Sequence, residues 1–179
     1  RGRIIGRIEA SAANNPPPSA PPFPAGFFSI SASFLLVSFP VLVAASRNRY
    51  DDAVKLVLAS MQRYRPFDPH VNYTPLEREP YDALCDRYFR AVEMAVRYFR
   101  TLERSKLALN SESFRDLLGN MAKWGVISDV DLWFRMRDLR NRIAHDYLPD
   151  ELAEIYGLIF GAYGPELLRV LAPATPEAA

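Results

Sequence analysis

The sequence contains few of the residues that build disulfide bonds and metal sites. It has one cysteine, Cys85, and two histidines, His70 and His145. A disulfide within these residues is therefore excluded, and a reducing compartment is the simpler expectation, so we predict a cytoplasmic protein. A structural zinc site usually takes four Cys or His ligands and a catalytic one three protein ligands. The three residues of these types are scattered over the chain, so we predict no zinc site and no cofactor. An all-carboxylate magnesium site remains possible but has no signature here.

The chain also has little net charge. Its 22 basic and 21 acidic residues give a formal net charge of +1. Net charge therefore gives no support for nucleic-acid binding, and any such function must rest on the local arrangement of side chains. A length of 179 residues with 49% hydrophobic residues allows one domain with a sizeable core, and is too short for two ordinary domains.

The first 45 residues differ in composition from the rest. Their middle is rich in proline, and no charged residue occurs between Glu9 and Arg47. Three interpretations are open: a non-native extension or one from a misassigned start, which we favour, an irregular arm packed on the domain, and a secretory signal or membrane anchor. The apolar run at 27–45 is near the about 20 residues that span a bilayer. Pro40 and several serines weaken that interpretation, so we predict no membrane association.

From residue 46 onward the apolar residues follow helical spacing, and no segment alternates as a strand does. Helices are predicted at 46–64, at about 80–107, from 111 to near 125, from 128 to 147–148, and at 151–170. We therefore predict an all-α fold, an antiparallel bundle of four to five helices. The helical domain is expected at 46–172, after the atypical extension at 1–45 and before a disordered tail at 173–179.

Single residues mark the ends of two predicted helices. Gly125 lacks a β-carbon and suits the left-handed conformation that commonly ends a helix. Ser128 is predicted to cap the fourth helix by accepting a hydrogen bond from the backbone N–H near Asp131. That helix should end near Tyr147, because Pro149 cannot supply the N–H that a continuing helix needs. Its core stripe is predicted to be Leu132, Met136, Leu139 and Ile143.

A polar stripe accompanies this apolar one on the predicted fourth helix. Residues four apart share a face, so Asn141 lies beneath His145, with Asp138 one turn below Asn141. Arg140 is displaced from His145 by about 140° around the axis and about 7.5 Å along it. The two side chains would meet if the arginine reaches across the helix or if two copies of the helix pair in a dimer.

These side chains suit the cleavage of a phosphodiester without a metal. An imidazole can take or give a proton near neutral pH, a guanidinium can hold phosphate oxygens, and Asn141 can orient the imidazole or the substrate. RNA supplies its own nucleophile, the 2′-hydroxyl, so no protein nucleophile is needed. On the residues alone, the alternative is a histidine without function on the surface of an arginine-rich helix.

The string Arg140-Asn141-Arg142-Ile143-Ala144-His145-Asp146-Tyr147 resembles the Arg-x(4-6)-His motif of HEPN domains, in which a polar residue, often asparagine, follows the arginine. With Tyr147 it resembles the longer motif of HepT toxins, over roughly 73–170. Those proteins are dimeric, metal-independent ribonucleases paired with a minimal nucleotidyltransferase antitoxin. The resemblance implies an RNA substrate, a homodimer and such a partner. It also implies that Arg140 and His145, with Asn141, are catalytic and that Tyr147 accepts AMP.

A second class of function stays open. Some relatives of these toxins are non-catalytic, so the alternative is a catalytically silent helical subunit that binds a minimal nucleotidyltransferase and presents substrate to it. Such a subunit would keep the bundle and the partner-binding surface without cleaving RNA.

Further arginines are weaker candidates for RNA binding. Arg90, Arg97 and Arg104 recur every seven residues on the second helix, and Arg142 lies within the motif. We name Arg142, Arg90 and Arg97 as candidate RNA contacts. Acidic residues are interleaved with the arginines of the second helix, so a solvated, salt-bridged face is the favoured interpretation. Cys85 is predicted to pack as a small apolar residue.

Overall fold

The computed structural model describes residues 32–108, 110–142 and 149–171, which form helices joined by loops and contain no β-strand. They form α1 (Ala32–Met61), α2 (Pro75–Leu107), α3 (Phe114–Lys123), α4 (Val130–Arg142), α5 (Pro149–Leu158) and α6 (Gly164–Arg169), with a π-helical segment, Ile159–Tyr163, joining the last two. The predicted all-α class is confirmed. The predicted tail at 173–179 lies outside the described residues.

The two long helices α1 and α2 form an antiparallel pair. Near the middle of α1, Arg47 and Tyr50 contact Tyr98, which lies in the second half of α2. Near the end of α1, Ser60 accepts a hydrogen bond from Arg87 in the first half of α2. Earlier residues of α1 thus contact later residues of α2, as in an antiparallel pair. The pairing provides the frame on which the shorter helices pack.

The core lies between this pair and the shorter helices, and its largest side chains are aromatic. Tyr50 and Tyr88 are fully buried. The Tyr50 hydroxyl donates to the carbonyl of Leu167 at 2.6 Å, and the Tyr88 hydroxyl donates to that of Met136 at 2.8 Å. Burial raises the pKa of both tyrosines, so both stay protonated and keep donating. The hydroxyls thereby satisfy carbonyls that water cannot reach.

Two helices begin earlier than their apolar spacing predicts. α1 starts at Ala32 and contains Pro40, although regular amphipathic spacing appears only from Ser46. α2 starts at Pro75, where Thr74 and Glu77 form a capping box: each donates its backbone N–H to the side chain of the other. Periodicity detects only the part of a helix that has one buried face, so it missed both starts.

Gly125 ends the third helical segment as predicted. Its φ of 66° lies in the left-handed region. The next residue, Val126, donates its N–H back to the carbonyl of Met121 at 2.9 Å, which satisfies an acceptor at the end of α3. A side chain at position 125 would be strained by this backbone conformation.

The predicted cap of α4 is wrong. Asp129, not Ser128, caps the helix, because its carboxylate accepts the backbone N–H of Leu132 at 2.5 Å. Ser128 instead donates its hydroxyl to the buried carboxylate of Glu166 at 2.8 Å. Aspartate caps helices as readily as serine, and the contact of Ser128 with Glu166 leaves Asp129 as the cap.

The core face of α4 differs partly from its predicted stripe. Met136 and Leu139 are buried as predicted, whereas Leu132 is only half-buried and Trp133 takes the central position with its side chain fully buried. Ile143 and the predicted helix end near Tyr147 lie outside the described residues.

None of the helices within 32–108, 110–142 and 149–171 is long and apolar enough to cross a membrane.

A buried carboxylate, Glu103, joins the end of α2 to the loop before α3. It accepts the backbone N–H and the hydroxyl of Ser111, and the side-chain amide of Asn120 at 2.9 Å. Burial raises the pKa of Glu103, but these hydrogen bonds and the nearby Arg100 outweigh it, so the pKa lies below its usual value of 4.5. The folded state therefore favours the ionised form.

Replacing Glu103 by glutamine is expected to destabilise the protein most at neutral pH. The contribution of a lowered carboxyl pKa is present above the unfolded pKa and is lost as the pH falls through the folded one. The free energy of unfolding should drop by about 1–3 kcal/mol at neutral pH, with the loss shrinking below about pH 4. Urea denaturation of the parent and the variant at neutral pH and below about pH 4 measures the two losses of unfolding free energy. An equal loss at the two pH values would contradict the prediction.

Candidate functional site

Arg140, in the last turn of α4, packs against the partly exposed side chains of Phe89 and Glu93 on α2. Its guanidinium carbon lies 4.3 Å from the centre of the Phe89 ring. Its Nη2 lies 2.7 Å from a carboxylate oxygen of Glu93, and its Nη1 donates to the side-chain oxygen of Asn141 at 2.8 Å. A ring, a carboxylate and an amide thus hold the guanidinium in one orientation.

This arrangement depends on how α4 docks on α2. Tyr88 of α2 binds the backbone of Met136 on α4, and Phe99 of α2 packs edge-on against Trp133 at 4.9 Å between ring centres. These contacts place the last turns of α4 against the middle of α2. That docking brings Arg140 over the α2 side chains that hold it.

The guanidinium keeps capacity for another ligand. The Arg140 side chain is 27% exposed and that of Glu93 is 35% exposed, so both are accessible from solvent. A guanidinium has five N–H donors, and only some of those of Arg140 are used by Glu93 and Asn141. Its Nε is buried and has no hydrogen-bond partner within the described part of the chain. The solvent-exposed N–H donors that Glu93 and Asn141 leave free could bind an oxyanion such as a phosphate.

The structure brings two of the predicted catalytic residues together. Asn141 is exposed, and its side-chain oxygen accepts from Arg140, so it orients the guanidinium. Asp138, one turn earlier, is also exposed. His145, the predicted acid–base group, and Tyr147, the predicted AMP acceptor, lie outside the described residues.

The candidate RNA-binding arginines do not form one cluster. Arg90 lies 3.1 Å from the Asp86 carboxylate on the exposed face of α2. Arg142 lies 3.9 Å from Glu154 and so links α4 to α5. Arg97 is exposed and has no acidic partner among the residues described. The salt-bridged interpretation, which was made for α2, therefore fits Arg90. Arg142 is paired with an acid of α5, and Arg97 has no acidic partner within the described part of the chain.

Glu93 and Phe89 are parts of this site that the sequence did not single out. Glu93 was one of several acids interleaved with arginines, and Phe89 one of several apolar residues on the same helix. Only the docking of α4 distinguishes them from their neighbours. No local sequence pattern in α2 therefore identifies Glu93 and Phe89 as the residues that contact Arg140.

Two other kinds of reactive group, a metal site and an activated cysteine, are not found among the described residues. No group of three or more His, Cys, Asp and Glu side chains that could hold a metal ion occurs within them. Burial raises the pKa of Cys85 to about 12. Its thiol is therefore protonated at neutral pH and is a poor nucleophile.

Comparison with models of protein families, with curated proteins and with solved structures finds no match to this chain. Any functional interpretation therefore rests on the motif and on the geometry around Arg140.

Proposed function

We propose that this chain is a HEPN-type endoribonuclease that cleaves RNA without a metal ion, the toxin of a toxin–antitoxin pair. The observation that carries the proposal is the fixed position of Arg140, held by Glu93, Phe89 and Asn141 at the start of the Arg-x4-His string. Ordering a long side chain costs conformational entropy, and the three contacts together offset that cost and keep the guanidinium in one orientation.

In the proposed reaction the 2′-hydroxyl of the RNA attacks the adjacent phosphorus. The 2′-oxygen–phosphorus bond forms while the bond to the 5′-oxygen breaks, which leaves a 2′,3′-cyclic phosphate and a 5′-hydroxyl. His145 accepts the proton of the attacking 2′-hydroxyl, and the protonated imidazole gives a proton to the leaving 5′-oxygen, so the imidazole returns to its starting state. Arg140 binds the non-bridging phosphate oxygens, where negative charge accumulates in the transition state.

A homodimer and a nucleotidyltransferase partner belong to the same proposal. Arg140 and His145 lie on different sides of an ideal helix, so a cleft between two copies is a simple way to join them. A minimal nucleotidyltransferase would silence the toxin by binding it or by transferring AMP to Tyr147.

One observation favours the catalytically silent alternative. Glu93 compensates the charge of Arg140 at 2.7 Å, and a compensated guanidinium binds phosphate less strongly than a free one. In that case the chain would be a helical subunit that presents substrate to a nucleotidyltransferase.

Expression in a bacterial host separates the two functions. An active ribonuclease should arrest growth and deplete cellular RNA, and Arg140→Ala should abolish both effects. Co-expression of a minimal nucleotidyltransferase encoded beside this chain should restore growth. Equal growth of cells that express the parent chain and the variant would favour the silent subunit.

Replacing Glu93 by glutamine is expected to lower kcat about tenfold. The amide keeps the size of the side chain but loses the charge that holds Arg140, so the guanidinium is less well oriented for the transition state. The same loss of charge should tighten binding of the RNA phosphate, so KM should not rise. Stability should change by less than about 1 kcal/mol, because both partners of this ion pair are partly exposed. Cleavage rates over a range of RNA concentrations, with thermal melting, measure both quantities.

Asp86→Asn is the matched control for Glu93→Gln, because Asp86 pairs with the exposed Arg90 on the same helix. It should leave kcat within about twofold of the parent. If both variants lose activity equally, the general charge of α2 matters and the orientation of Arg140 by Glu93 does not.

A further inference from the structure

A cleft of about 350 Å³ lies between α1 and the second half of α2, apart from the Arg140 site. Arg49 of α1 lines it together with Arg100 and Arg104 of α2, and Phe39 and Leu42 form part of its apolar wall. No carboxylate is among its described lining residues. Such a cleft combines positive charge with apolar surface.

Two of its three guanidinium groups are not neutralised. Arg100 donates to the backbone carbonyl of Ser111 at 2.6 Å and lies 3.8 Å from the buried Glu103. Arg104 donates to the neutral side chain of Asn110 at 3.2 Å. Arg49 is exposed and has no acidic partner in the described part of the chain. The cleft therefore keeps uncompensated positive charge and free N–H donors.

The cleft lies on the same face of α2 as Glu93, which holds Arg140, and further along the helix. With about 100° per residue, Glu93, Arg97 and Arg104 lie within about 40° of one another on α2. The rise from Glu93 to Arg104 is about 16 Å. The exposed Arg97 lies between them. A basic track thus runs from the Arg140 site along α2 to the cleft.

We propose that this cleft binds backbone phosphates of single-stranded RNA and holds the substrate next to the cleavage site. Arg49 and Arg104 contact the phosphates, and bases pack against Phe39 and Leu42. Single-stranded nucleic acid is bound in this way, by a positively charged groove with aromatic side chains along it. The inference rests on the proposed ribonuclease function for its choice of RNA as the ligand.

The test measures binding separately from cleavage. The probe is a fluorescein-labelled 2′-O-methyl RNA of about 16 nucleotides, which lacks the attacking hydroxyl and stays intact. Fluorescence anisotropy with the full chain gives Kd over a range of salt concentrations. The Arg49→Gln/Arg104→Gln variant is compared with Arg135→Gln, which removes an exposed arginine of α4. Arg100 is left unchanged because its guanidinium also binds the Ser111 carbonyl.

The double variant is expected to bind the probe at least about tenfold more weakly than the parent. Its slope of log K against log salt should be smaller by about 1.4, as expected for two lost phosphate contacts on a single strand. Arg135→Gln should stay within about twofold of the parent. Circular dichroism melting confirms that all three proteins are folded.

Parent-like binding by the double variant would overturn the proposal, even if the parent cleaves RNA. Binding that the double variant loses would support the proposal, even if the parent never cleaves RNA, so the two functions can fail separately. Polyglutamate serves as a second probe. If the parent binds it as tightly as RNA and the double variant loses both, the cleft is a general polyanion site and the RNA assignment is wrong.

Discussion

Replacing His145 by alanine is expected to reduce RNA cleavage by about 100- to 10,000-fold, the range that general acid–base catalysis contributes. The 2′-hydroxyl is a poor nucleophile until its proton is removed, and the 5′-oxygen is a poor leaving group until it gains one. In the proposed mechanism the imidazole exchanges these protons. Initial cleavage rates of a labelled RNA measure the effect, and circular dichroism checks the fold.

His70→Ala is the matched control for His145→Ala. His70 is exposed in the loop between α1 and α2, where its backbone N–H donates to the side chain of Asp68. Its imidazole has no role in the proposed mechanism, so the rate should match that of the parent. Equal rates for the parent and both variants would show that the cleavage does not come from this histidine.

Replacing Glu166 by alanine is expected to lower the free energy of unfolding by about 3 kcal/mol. The Glu166 side chain is buried and accepts the backbone N–H of Ser128 at 2.9 Å and its hydroxyl at 2.8 Å. It also accepts the indole N–H of Trp133 at 2.9 Å and the Nε–H of Arg169 at 3.1 Å. Without the carboxylate, donors of Ser128 and Trp133 stay buried and unpaired.

Urea denaturation measures the loss, with Glu154→Ala as the control. Glu154 is 60% exposed and lies 3.9 Å from Arg142, so its removal should cost less than about 1 kcal/mol. A loss for Glu166→Ala no larger than that of Glu154→Ala would contradict the account of Glu166 as the link between α4 and α6.

Much of the helical fold could be predicted because most helices bury one face. Met136 and Leu139 were found from their spacing, and Gly125 from its lack of a β-carbon. The start of α1 was missed because its apolar residues do not keep to one face: Val41 and Leu42 are 65% and 52% exposed. Spacing rules assume a single buried stripe and fail where apolar residues surround the helix.

The buried carboxylates could not be predicted from the sequence. Glutamate is rarely buried unless it is paired, so Glu103 and Glu166 would be placed on the surface by composition alone. Each is buried because donors from other elements converge on it, from Ser111 and Asn120 for Glu103 and from Ser128 and Trp133 for Glu166. The displaced cap of α4 has the same origin, since Ser128 turns towards Glu166 and leaves Asp129 as the cap.

The candidate site could be predicted only in part, because some of its contacts are local in sequence and others depend on the tertiary structure. The motif places Arg140 beside Asn141 on any helix, and the structure joins them at 2.8 Å. The partners on α2, Glu93 and Phe89, depend on the docking of α4, which no local pattern encodes. The sequence therefore names the candidate reacting groups, whereas the tertiary structure adds Glu93 and Phe89, which hold Arg140.

The most direct test of the proposed function is the chemistry of the RNA ends that the purified chain produces in EDTA. The account predicts products with 2′,3′-cyclic phosphate and 5′-hydroxyl ends, and no cleavage where the attacking nucleotide carries a 2′-deoxyribose. Failure of the parent chain to cleave RNA, cleavage only with added magnesium, or cleavage of the 2′-deoxy substrate would contradict it.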